Sequence, residues 1–339
     1  MTLSVALVGF GAWGKNLARV LSGSKRVKLG AIIDSDSSIR AEATDSYPGV
    51  AVHCRLSDVL VNANVDAVVI STPTSTHAEL ARQALEARKH VFCEKALAPT
   101  AEEAREITAL AERSGVVLMV GHIFLFNSSL SVLKHVLDSG ELGDVRYMTA
   151  LRTNLGPVRE DVNALVDLAV HDISVMNHLL DELPAEVSAV GKNFLRDGIE
   201  DVCFLTLHYP SGAMANIHVS WMNPRKERRF TIVGTQQMAV WEDGELESPI
   251  AIYRKKAEAK ATAGEYGVFL QVALSTGGVW MPPVDHVEPL KQEIETFVDL
   301  VYGATERNIS GGEMATGVAM TLEAAQQSML KRGAPVALR

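Results

Sequence analysis

The sequence has few cysteines, few aromatic residues and no long apolar run. Its three cysteines, Cys54, Cys93 and Cys203, are far apart and form no CxxC pair, so neither a disulfide framework nor a zinc site is indicated. This usage fits a reducing compartment. The apolar stretches are about as long as strands, and none approaches the roughly 20 residues that a membrane span needs. We therefore expect a cytoplasmic protein.

The N-terminus also lacks the features of a secretory signal. It has no basic region, glycines interrupt its apolar run after a few residues, and no small-residue cleavage site follows. We expect no cleaved leader.

Positive charge is in deficit. The chain has 41 acidic and 32 basic residues, a formal net charge of −9. An acidic surface repels phosphate backbones, so nucleic acids and anionic membranes are not expected partners. The content of 47% hydrophobic and 22% charged residues excludes a disordered or fibrous chain. A length of 339 residues predicts two domains.

The first 120 residues alternate apolar strands with amphipathic helices. Continuous apolar runs predict strands at Leu3–Val8, Val27–Ile33, Asp66–Ile70, His90–Cys93 and Val116–Val120. Helical spacing of Ala and Leu lies between several of them, as at Thr76–Arg88. This order indicates an α/β domain, a doubly wound parallel sheet with helices on both faces.

The pattern changes after residue 120. Segments that alternate apolar and polar residues predict an antiparallel sheet, alongside helices that include Ala164–Leu180. We therefore predict an α/β domain at residues 1–120 and an α+β domain at residues 121–339, whose C-terminal helices could pack back on the first domain. Ala257–Pro283 is rich in glycine without clear periodicity and is predicted to be a loop or lid.

A glycine motif follows the first strand. Gly9-Phe10-Gly11-Ala12-Trp13-Gly14 has the GxGxxG spacing and opens a helix. Gly9 allows a tight turn, Gly11 lets the backbone approach a pyrophosphate, and Gly14 lets the helix pack closely on the strand. The helix N-terminus offers N–H groups to the anion. The motif predicts dinucleotide binding by a Rossmann domain.

Asp34 ends the second strand, 20 residues after Gly14. A carboxylate at this place binds the adenosine ribose hydroxyls. It repels a 2′-phosphate, and the adjacent Ser35 and Asp36 supply no cation, so NAD is favoured over NADP. The alternative for Asp34 is a helix N-cap or turn residue.

Lys95 follows the strand that begins at His90. Ligands of open parallel sheets lie outside the carboxyl ends of the strands, so Lys95 is expected close to the nicotinamide. Burial beside a cationic ring would lower the pKa of Lys95 and let it exchange protons. The alternative is a solvated surface lysine.

Asp167 and His171 lie one turn apart on a predicted helix and so share a face. A carboxylate can fix the imidazole tautomer and stabilise the imidazolium. Asp172 is interpreted as a solvated or helix-packing acid. A metal site with His178 lacks a further ligand, and no metal is expected. The alternative for Asp167 and His171 is an ordinary surface pair.

These groups together suit the oxidation of a secondary alcohol. That reaction needs a hydride acceptor, which NAD⁺ provides, and a base for the hydroxyl proton. His171 and Lys95 are both candidates for the base.

Several segments carry a resemblance along essentially the whole chain: GFGAWG, STPTSTH (Ser71–His77), EKALA (Glu94–Ala98), VGHIFLFN (Val120–Asn127) and the DxxxH of Asp167 and His171. They resemble the glucose-fructose oxidoreductase/inositol dehydrogenase/MocA (Gfo/Idh/MocA) family of oxidoreductases. The resemblance implies an N-terminal Rossmann domain and a C-terminal α+β domain. The latter is built on a large open, mostly antiparallel sheet that mediates homodimers or homotetramers.

The resemblance also implies roles for particular residues. Lys95, Asp167 and His171 would line the substrate site, with the histidine as acid/base and the lysine orienting substrate or relaying protons. Residues along the cofactor would be Ser71, Thr72, Pro73, His77, Glu94 and Lys95. His122 and Asn127 are given a structural role or a contact with substrate. The sequence departs from the family at Ala96, where a proline is usual, and this leaves the pose of Lys95 open.

One subgroup is more similar. Asn154–Leu180, GIEDV and HVSWMNPRKERRFTIVGT resemble sugar-nucleotide dehydrogenases, which oxidise the C3 hydroxyl of a UDP-sugar, often UDP-N-acetylglucosamine, to a 3-keto sugar. Arg152, Asn154 and Arg159 would flank the sugar. A basic cluster could receive the diphosphate or could be a solvated sheet edge or subunit contact: Arg225, Lys226, Arg228 and Arg229.

Other functions stay open. Within the enzyme class, the substrate could be a free polyol such as inositol or a sugar phosphate, and the reaction could run as ketone reduction. From another class, the chain could be a dinucleotide-binding regulator without catalysis.

Overall fold

The computed structural model describes residues 2–61, 64–156, 158–159, 162–255, 257–264, 267–274 and 277–338. The chain packs into two compact units. The first consists of Met1–Phe126 and Val287–Glu323, and the second of Asn127–His286 and Ala324–Arg339. The predicted boundary at residue 120 lies six residues before the end of the first segment. Residues 287–323 belong to the first unit, in line with the expectation that the C-terminal helices could pack back on it.

The regular elements are numbered here in chain order. The strands are β1 (Leu3–Val8), β2 (Val27–Ile33), β3 (Ala51–His53), β4 (Ala67–Ile70), β5 (His90–Glu94), β6 (Leu118–Gly121), β7 (Val145–Leu155), β8 (Glu186–Lys192), β9 (Val202–His208), β10 (Met214–Ser220), β11 (Met222–Gly234), β12 (Met238–Glu242), β13 (Ile250–Tyr253), β14 (Ala257–Gly264), β15 (Gly267–Leu274), β16 (Val279–Trp280) and β17 (Val336–Ala337). The α-helices are α1 (Ala12–Gly23), α2 (Ser37–Ser46), α3 (Ser57–Leu60), α4 (His77–Glu86), α5 (Ala101–Ser114), α6 (Ser128–Asp138), α7 (Val170–Leu180), α8 (Pro289–Val301) and α9 (Gly312–Leu330). Short 3₁₀ turns lie at Thr74–Thr76 and Ile123–Phe126, and a π-helical turn at Leu165–Ala169.

The first unit is built on a parallel sheet with the strand order β3-β2-β1-β4-β5-β6. Its central strands are buried on both faces, as their continuous apolar sequences require. On one face Val68, Val91 and their neighbours pack with residues of α4, α5 and α9. On the other face, Phe92 of β5 meets Phe297 of α8 edge to face, with ring centroids 5.8 Å apart. The predicted doubly wound parallel sheet is confirmed.

The free edge of β6 is covered by residues that return late in the sequence. The Val120 N–H donates to the carbonyl of Ser310 (2.8 Å). The amide of Asn308 donates to the carbonyl of Leu118 (2.9 Å), and Met119 forms an isolated bridge with Gly311. An edge strand with unpaired backbone groups is thereby protected.

The second unit is built on a mixed sheet with the order β16-β13-β12-β11-β7-β10-β9-β8-β17. The pair β10–β7 is parallel, and the other pairs are antiparallel. Period-two burial leaves Ala215, Ile217 and Val219 of β10 inside. The predicted α+β domain with a mostly antiparallel sheet is confirmed.

The opposite face of this sheet exposes large apolar side chains. Tyr147, Phe204 and Met214 are each more than two-fifths exposed. They share a face, because Met214 lies opposite Tyr147 and His218 lies opposite Phe204 in the register. The rings of Phe204 and His218 stack with centroids 4.3 Å apart.

The lack of regular structure predicted at Ala257–Pro283 is wrong. Strands β14 and β15 form an antiparallel pair, with Ala257 opposite Leu274 and Gly264 opposite Gly267. The segment AEAKATAG does alternate, but its repeating residue is alanine, which has weak strand propensity, so its pattern does not indicate a strand.

In the part of the chain that the structure describes, no helix is both long and apolar enough to cross a bilayer.

Candidate active site

The glycine motif forms a tight loop between β1 and α1. Gly9 has a φ of +90°, and a Cβ atom there would lie 2.5 Å from the carbonyl oxygen of Ser71. A Cβ at Gly14 would lie 2.1 Å from the carbonyl oxygen of Gly9. A Cβ at Gly11 would meet nothing within 4 Å. Packing within the protein therefore requires glycine at positions 9 and 14. At Gly11 the protein itself leaves space for a side chain.

Helix α1 begins at this loop without a cap. Gly11 occupies the N-cap position, no described side chain accepts the first N–H groups of the helix, and its first turn contains no acid. The partial positive charge of the helix N-terminus is therefore available to an anion.

Asp34 is held at the other end of the same region. Its carboxylate accepts hydrogen bonds from the backbone N–H groups of Phe10 (2.8 Å) and Asp36 (3.0 Å). Arg40 donates to the carbonyl oxygens of Asp34 and Ser35, at 2.9 Å each. Asp36, not Asp34, caps α2. The alternative of Asp34 as an N-cap is therefore wrong.

A cavity of about 1100 Å³ joins these features, and its lining includes Gly9, Gly11, Asp34, Ser71, Thr72 and Pro73. An elongated dinucleotide needs an uncapped helix end for its diphosphate and a carboxylate for its ribose, and this lining holds both. The residues present thus fit NAD. Arg55, which follows β3, also lines the cavity. Arg55 was not predicted to lie here, because the three-residue strand β3 is too short to recognise from its pattern.

His77 is buried and bridges two loops. Its Nδ1 lies 2.7 Å from the carbonyl oxygen of Ala96, and its Nε2 lies 2.8 Å from that of Thr72. Carbonyl oxygens only accept, so a neutral imidazole can donate to one of them at a time. The ring therefore lies between the Thr72 and Lys95–Ala96 loops and donates to one of the two carbonyl oxygens, whereas the prediction placed it along the cofactor.

Lys95 follows β5 in a half-buried position, and the Lys95–Ala96 peptide bond is cis. Glu94, the last residue of β5, accepts a hydrogen bond from the indole N–H of Trp13 in the glycine loop. Burial raises the pKa of Glu94 to about 7, against the opposing effects of Trp13 and Lys95. Burial and the charge of Lys95 together lower the pKa of His122 to about 3. His122 lies 2.9 Å from the Ser310 hydroxyl through its Nδ1 atom.

In the second unit, Asp167 lies in the π-helical turn that precedes α7. The helix predicted at Ala164–Leu180 is confirmed, and its first part is a π-helical turn. The Asp167 carboxylate accepts from Arg159 Nη1 and from Trp221 Nε1, at 3.2 Å each. His171 is half-buried in the first turn of α7. Single-turn π bulges recur at functional sites, and here the turn carries a carboxylate fixed from two sides.

Arg152 and Asp172 form a buried ion pair. Arg152 is 4% exposed and Asp172 0%, and the guanidinium makes three hydrogen bonds to the carboxylate, at 2.8–3.1 Å. Of the two interpretations of Asp172, the solvated acid is wrong and the helix-packing acid is confirmed, since Asp172 of α7 is buried against Arg152 of β7. The predicted contact of Arg152 with a sugar also loses support, because its Nε and Nη2 atoms are committed to Asp172.

Asn154 and the basic cluster differ in how their polar atoms are used. The Oδ1 atom of Asn154 is buried, and no described residue donates to it. In the cluster, Arg228 pairs with Asp243 (3.0 Å), Arg229 with Glu242 (2.7 Å) and Arg225 with Glu227 (3.4 Å). These carboxylates favour a sheet-surface cluster over a diphosphate site.

No group of three or more His, Cys, Asp or Glu side chains that could hold a metal occurs among the described residues.

Two family models match the chain. Residues 3–122 match the oxidoreductase family with an NAD-binding Rossmann fold, Gfo/Idh/MocA, and residues 131–240 match the C-terminal domain of the same family. Inositol 2-dehydrogenase of Rhizobium meliloti is 27% identical over 99% of this chain and 100% of its own.

Solved structures agree on the fold. GenD2 from gentamicin A biosynthesis, determined in complex with NAD, superposes with a TM-score of 0.83 at 24% identity over 100% of this chain and 97% of its own. UDP-N-acetylglucosamine 3-dehydrogenase GnnA from Acidithiobacillus ferrooxidans gives 0.78 at 24% identity over 97% of each chain. This chain is an oxidoreductase of the Gfo/Idh/MocA family with an NAD-binding Rossmann domain.

Proposed function

We propose that this oxidoreductase converts a secondary hydroxyl of a sugar or cyclic polyol into a ketone, with NAD⁺ as the oxidant. The observation that carries the proposal is the carboxylate of Asp167, oriented by Arg159 and Trp221 one turn before His171. Such a carboxylate stabilises the imidazolium that forms when a histidine takes a proton.

Each part of the chain has a separate task in this proposal. The loop Gly9–Gly14 and the N-terminus of α1 hold the diphosphate, Asp34 binds the adenosine ribose, and Ser71, Thr72 and Pro73 line the same cavity. When bound, NAD⁺ supplies the acceptor for the hydrogen and electron pair that leave the carbinol carbon. His171 takes the hydroxyl proton at a ring nitrogen, and Lys95 orients the substrate oxygen. The exchange of these two roles is the alternative.

Two ring substrates are candidates. A free cyclic polyol is favoured by the full-length similarity to an inositol 2-dehydrogenase. It is also favoured by the basic cluster, where Arg225, Arg228 and Arg229 are paired with carboxylates. The C3 hydroxyl of a nucleotide sugar of the UDP-N-acetylglucosamine type is favoured by the segment Asn154–Leu180, in which the buried Oδ1 atom of Asn154 is left for a donor such as a sugar hydroxyl. A sugar phosphate, and ketone reduction as the direction, complete the enzymatic alternatives.

The test is a turnover assay with purified protein and NAD⁺ that follows the absorbance of the reduced nicotinamide. The panel contains inositols, free sugars, sugar phosphates and UDP-sugars, with the matching ketones and NADH for the reverse direction. Turnover of a ring alcohol supports the proposal, and the best substrate chooses between the two candidates. Intact NAD binding without turnover of any compound would instead favour a dinucleotide-binding regulator.

We also propose that the protein forms a homodimer or homotetramer through the open sheet of its second unit. The exposed face with Tyr147, Phe204 and Met214 supports this, because large apolar side chains grouped on one sheet face are typical of protein interfaces. Phe204→Asp would then lower the oligomeric state measured by light scattering. A wild-type monomer at micromolar concentration would contradict the proposal.

A further inference from the structure

The first unit contains two buried carboxyl groups that none of the roles above requires as a pair. Glu94 at the end of β5 is 9% exposed, and Glu293 on α8 is 0% exposed. Neither carboxyl oxygen of Glu293 has a hydrogen-bond partner among the described residues. Burying a carboxylate costs free energy unless it is paired. The protonation states of Glu94 and Glu293 therefore affect the stability of this region.

The carboxyl of Glu94 is fixed from two sides. The indole of Trp13 donates to its Oε1 atom. Across the sheet, Glu94 lies opposite Gly121 of β6. A Cβ atom at Gly121 would lie 2.9–3.0 Å from the carboxyl atoms of Glu94. The carboxyl therefore rests against the backbone of β6, in a space that only glycine leaves open.

Among the titratable groups around Glu94, Glu94 itself is the one that changes charge near neutral pH. Burial and the charge of Glu94 raise the pKa of Glu293 well above its usual range, so Glu293 stays a neutral acid. Burial likewise keeps the thiol of Cys93 protonated and the ring of His122 neutral. Lys95 is the adjacent cation. Glu94 itself, with a pKa raised to about 7 chiefly by burial, is divided between its two forms.

We propose that Glu94 distinguishes oxidised from reduced NAD. It releases its proton to solvent when the cationic nicotinamide ring binds at the carboxyl end of β5, and it keeps the proton when the uncharged reduced ring binds. Glu293 is a positioning residue. Because it stays a neutral acid, Glu94 is the one of the two buried carboxyl groups that can carry a negative charge. The inference shares with the proposed function the placement of the nicotinamide near Lys95.

The physical reason is the interaction of a ring cation with a carboxyl in a water-poor site. An adjacent positive charge favours the carboxylate, so the oxidised cofactor and the Glu94 proton compete. By linkage, the affinity for NAD⁺ then rises with pH by at most about tenfold per unit below the pKa of free Glu94 and levels off above it. The affinity for NADH lacks this dependence.

The test counts protons and uses no substrate. Cofactor-free wild-type protein is titrated with NAD⁺ and with NADH by calorimetry, in pairs of buffers with different ionisation enthalpies, between pH 6 and 8. We expect about half a proton released per NAD⁺ at pH 7 and several-fold less with NADH. Glu94→Gln keeps an acceptor oxygen for Trp13 and should abolish the release. Glu112→Gln, the same change at an exposed position of α5, should leave it as in the wild type.

Glu293→Gln provides a second variant. It replaces a neutral acid by a neutral amide, so the pH midpoint of proton release should move by less than about half a unit. A fall of a unit or more would show that Glu293 carries charge and would overturn the assignment. Equal release with NAD⁺ and NADH, no release in the wild type, or full release in Glu94→Gln would each overturn the proposal. Because no sugar is present, lack of turnover on the substrate panel would leave these outcomes unchanged.

Discussion

The two units fix their polar groups in different ways. In the glycine-loop region of the first unit, backbone groups do this: the glycine loop, the uncapped end of α1 and the N–H groups that hold Asp34 all lie within the first 36 residues. In the second unit, side chains hold side chains that are further away in the sequence, as when Trp221 holds Asp167 and Arg152 holds Asp172. The first arrangement follows from local sequence, whereas the second depends on how strands and helices meet.

The largest expected effect on stability comes from the buried pair of the second unit. Arg152→Met leaves Asp172 buried without its cation, so the free energy of unfolding should fall by about 3–5 kcal/mol. Urea unfolding followed by circular dichroism measures this. Arg229→Met, the same change in a half-exposed pair with Glu242, should cost no more than about 1 kcal/mol. If Arg152→Met left the stability unchanged and raised the KM, the predicted contact of Arg152 with the substrate would be supported instead.

His171 tests whether the second unit supplies the base. His171→Ala should lower kcat by about 10²-fold or more while NAD⁺ affinity stays within about twofold of the wild type. Single-turnover kinetics and fluorescence titration measure the two quantities. Asp167→Asn should follow it with a smaller loss, because the amide keeps the bond from Trp221 but cannot stabilise the imidazolium. Near-normal turnover of His171→Ala would move the base to Lys95.

Gly14 and Gly11 form a matched pair within the first unit. Gly14→Ala places a methyl group 2.1 Å from a carbonyl oxygen, which should destabilise the protein by about 1–3 kcal/mol even without cofactor. Gly11→Ala meets only open space, so the melting temperature should stay the same while the affinity for NAD falls. Thermal unfolding with and without NAD separates the two effects. Equal loss of stability in both variants would contradict the division of roles.

A smaller effect is expected at Asp34. Asp34→Asn keeps an acceptor for the N–H of Phe10 but removes the charge, so discrimination against NADP should relax by about tenfold, the equivalent of roughly 1.4 kcal/mol. The ratio of kcat/KM values for the two cofactors measures this. Adding Arg55→Ala should reverse the gain, since Arg55 lines the same cavity. An unchanged ratio in Asp34→Asn would exclude Asp34 from cofactor selection.

The contrast between the units also explains which parts of the molecule could be predicted. The strand, glycine loop and helix from Leu3 to Gly23 follow from spacing alone. The pairing of Arg152 with Asp172 could not be foreseen, because it requires knowing that β7 lies against α7. The burial of Glu293 was not predicted for a different reason. Glu293 lies with Leu290, Ile294 and Phe297 on the buried face of α8. An acid at such a position is the sequence signal that could have revealed it.

The return of residues 287–323 to the first unit has a consequence for synthesis of the chain. In topological terms most of the second unit, Asn127–His286, is an insertion, because the chain leaves the first unit after Phe126 and returns to it at Val287. A nascent chain therefore emerges from the ribosome with the edge of β6 uncovered until Asn308, Ser310 and Gly311 have been made. Throughout that interval the edge can pair with other strands, so truncated chains that end within the second unit should be the most prone to aggregate.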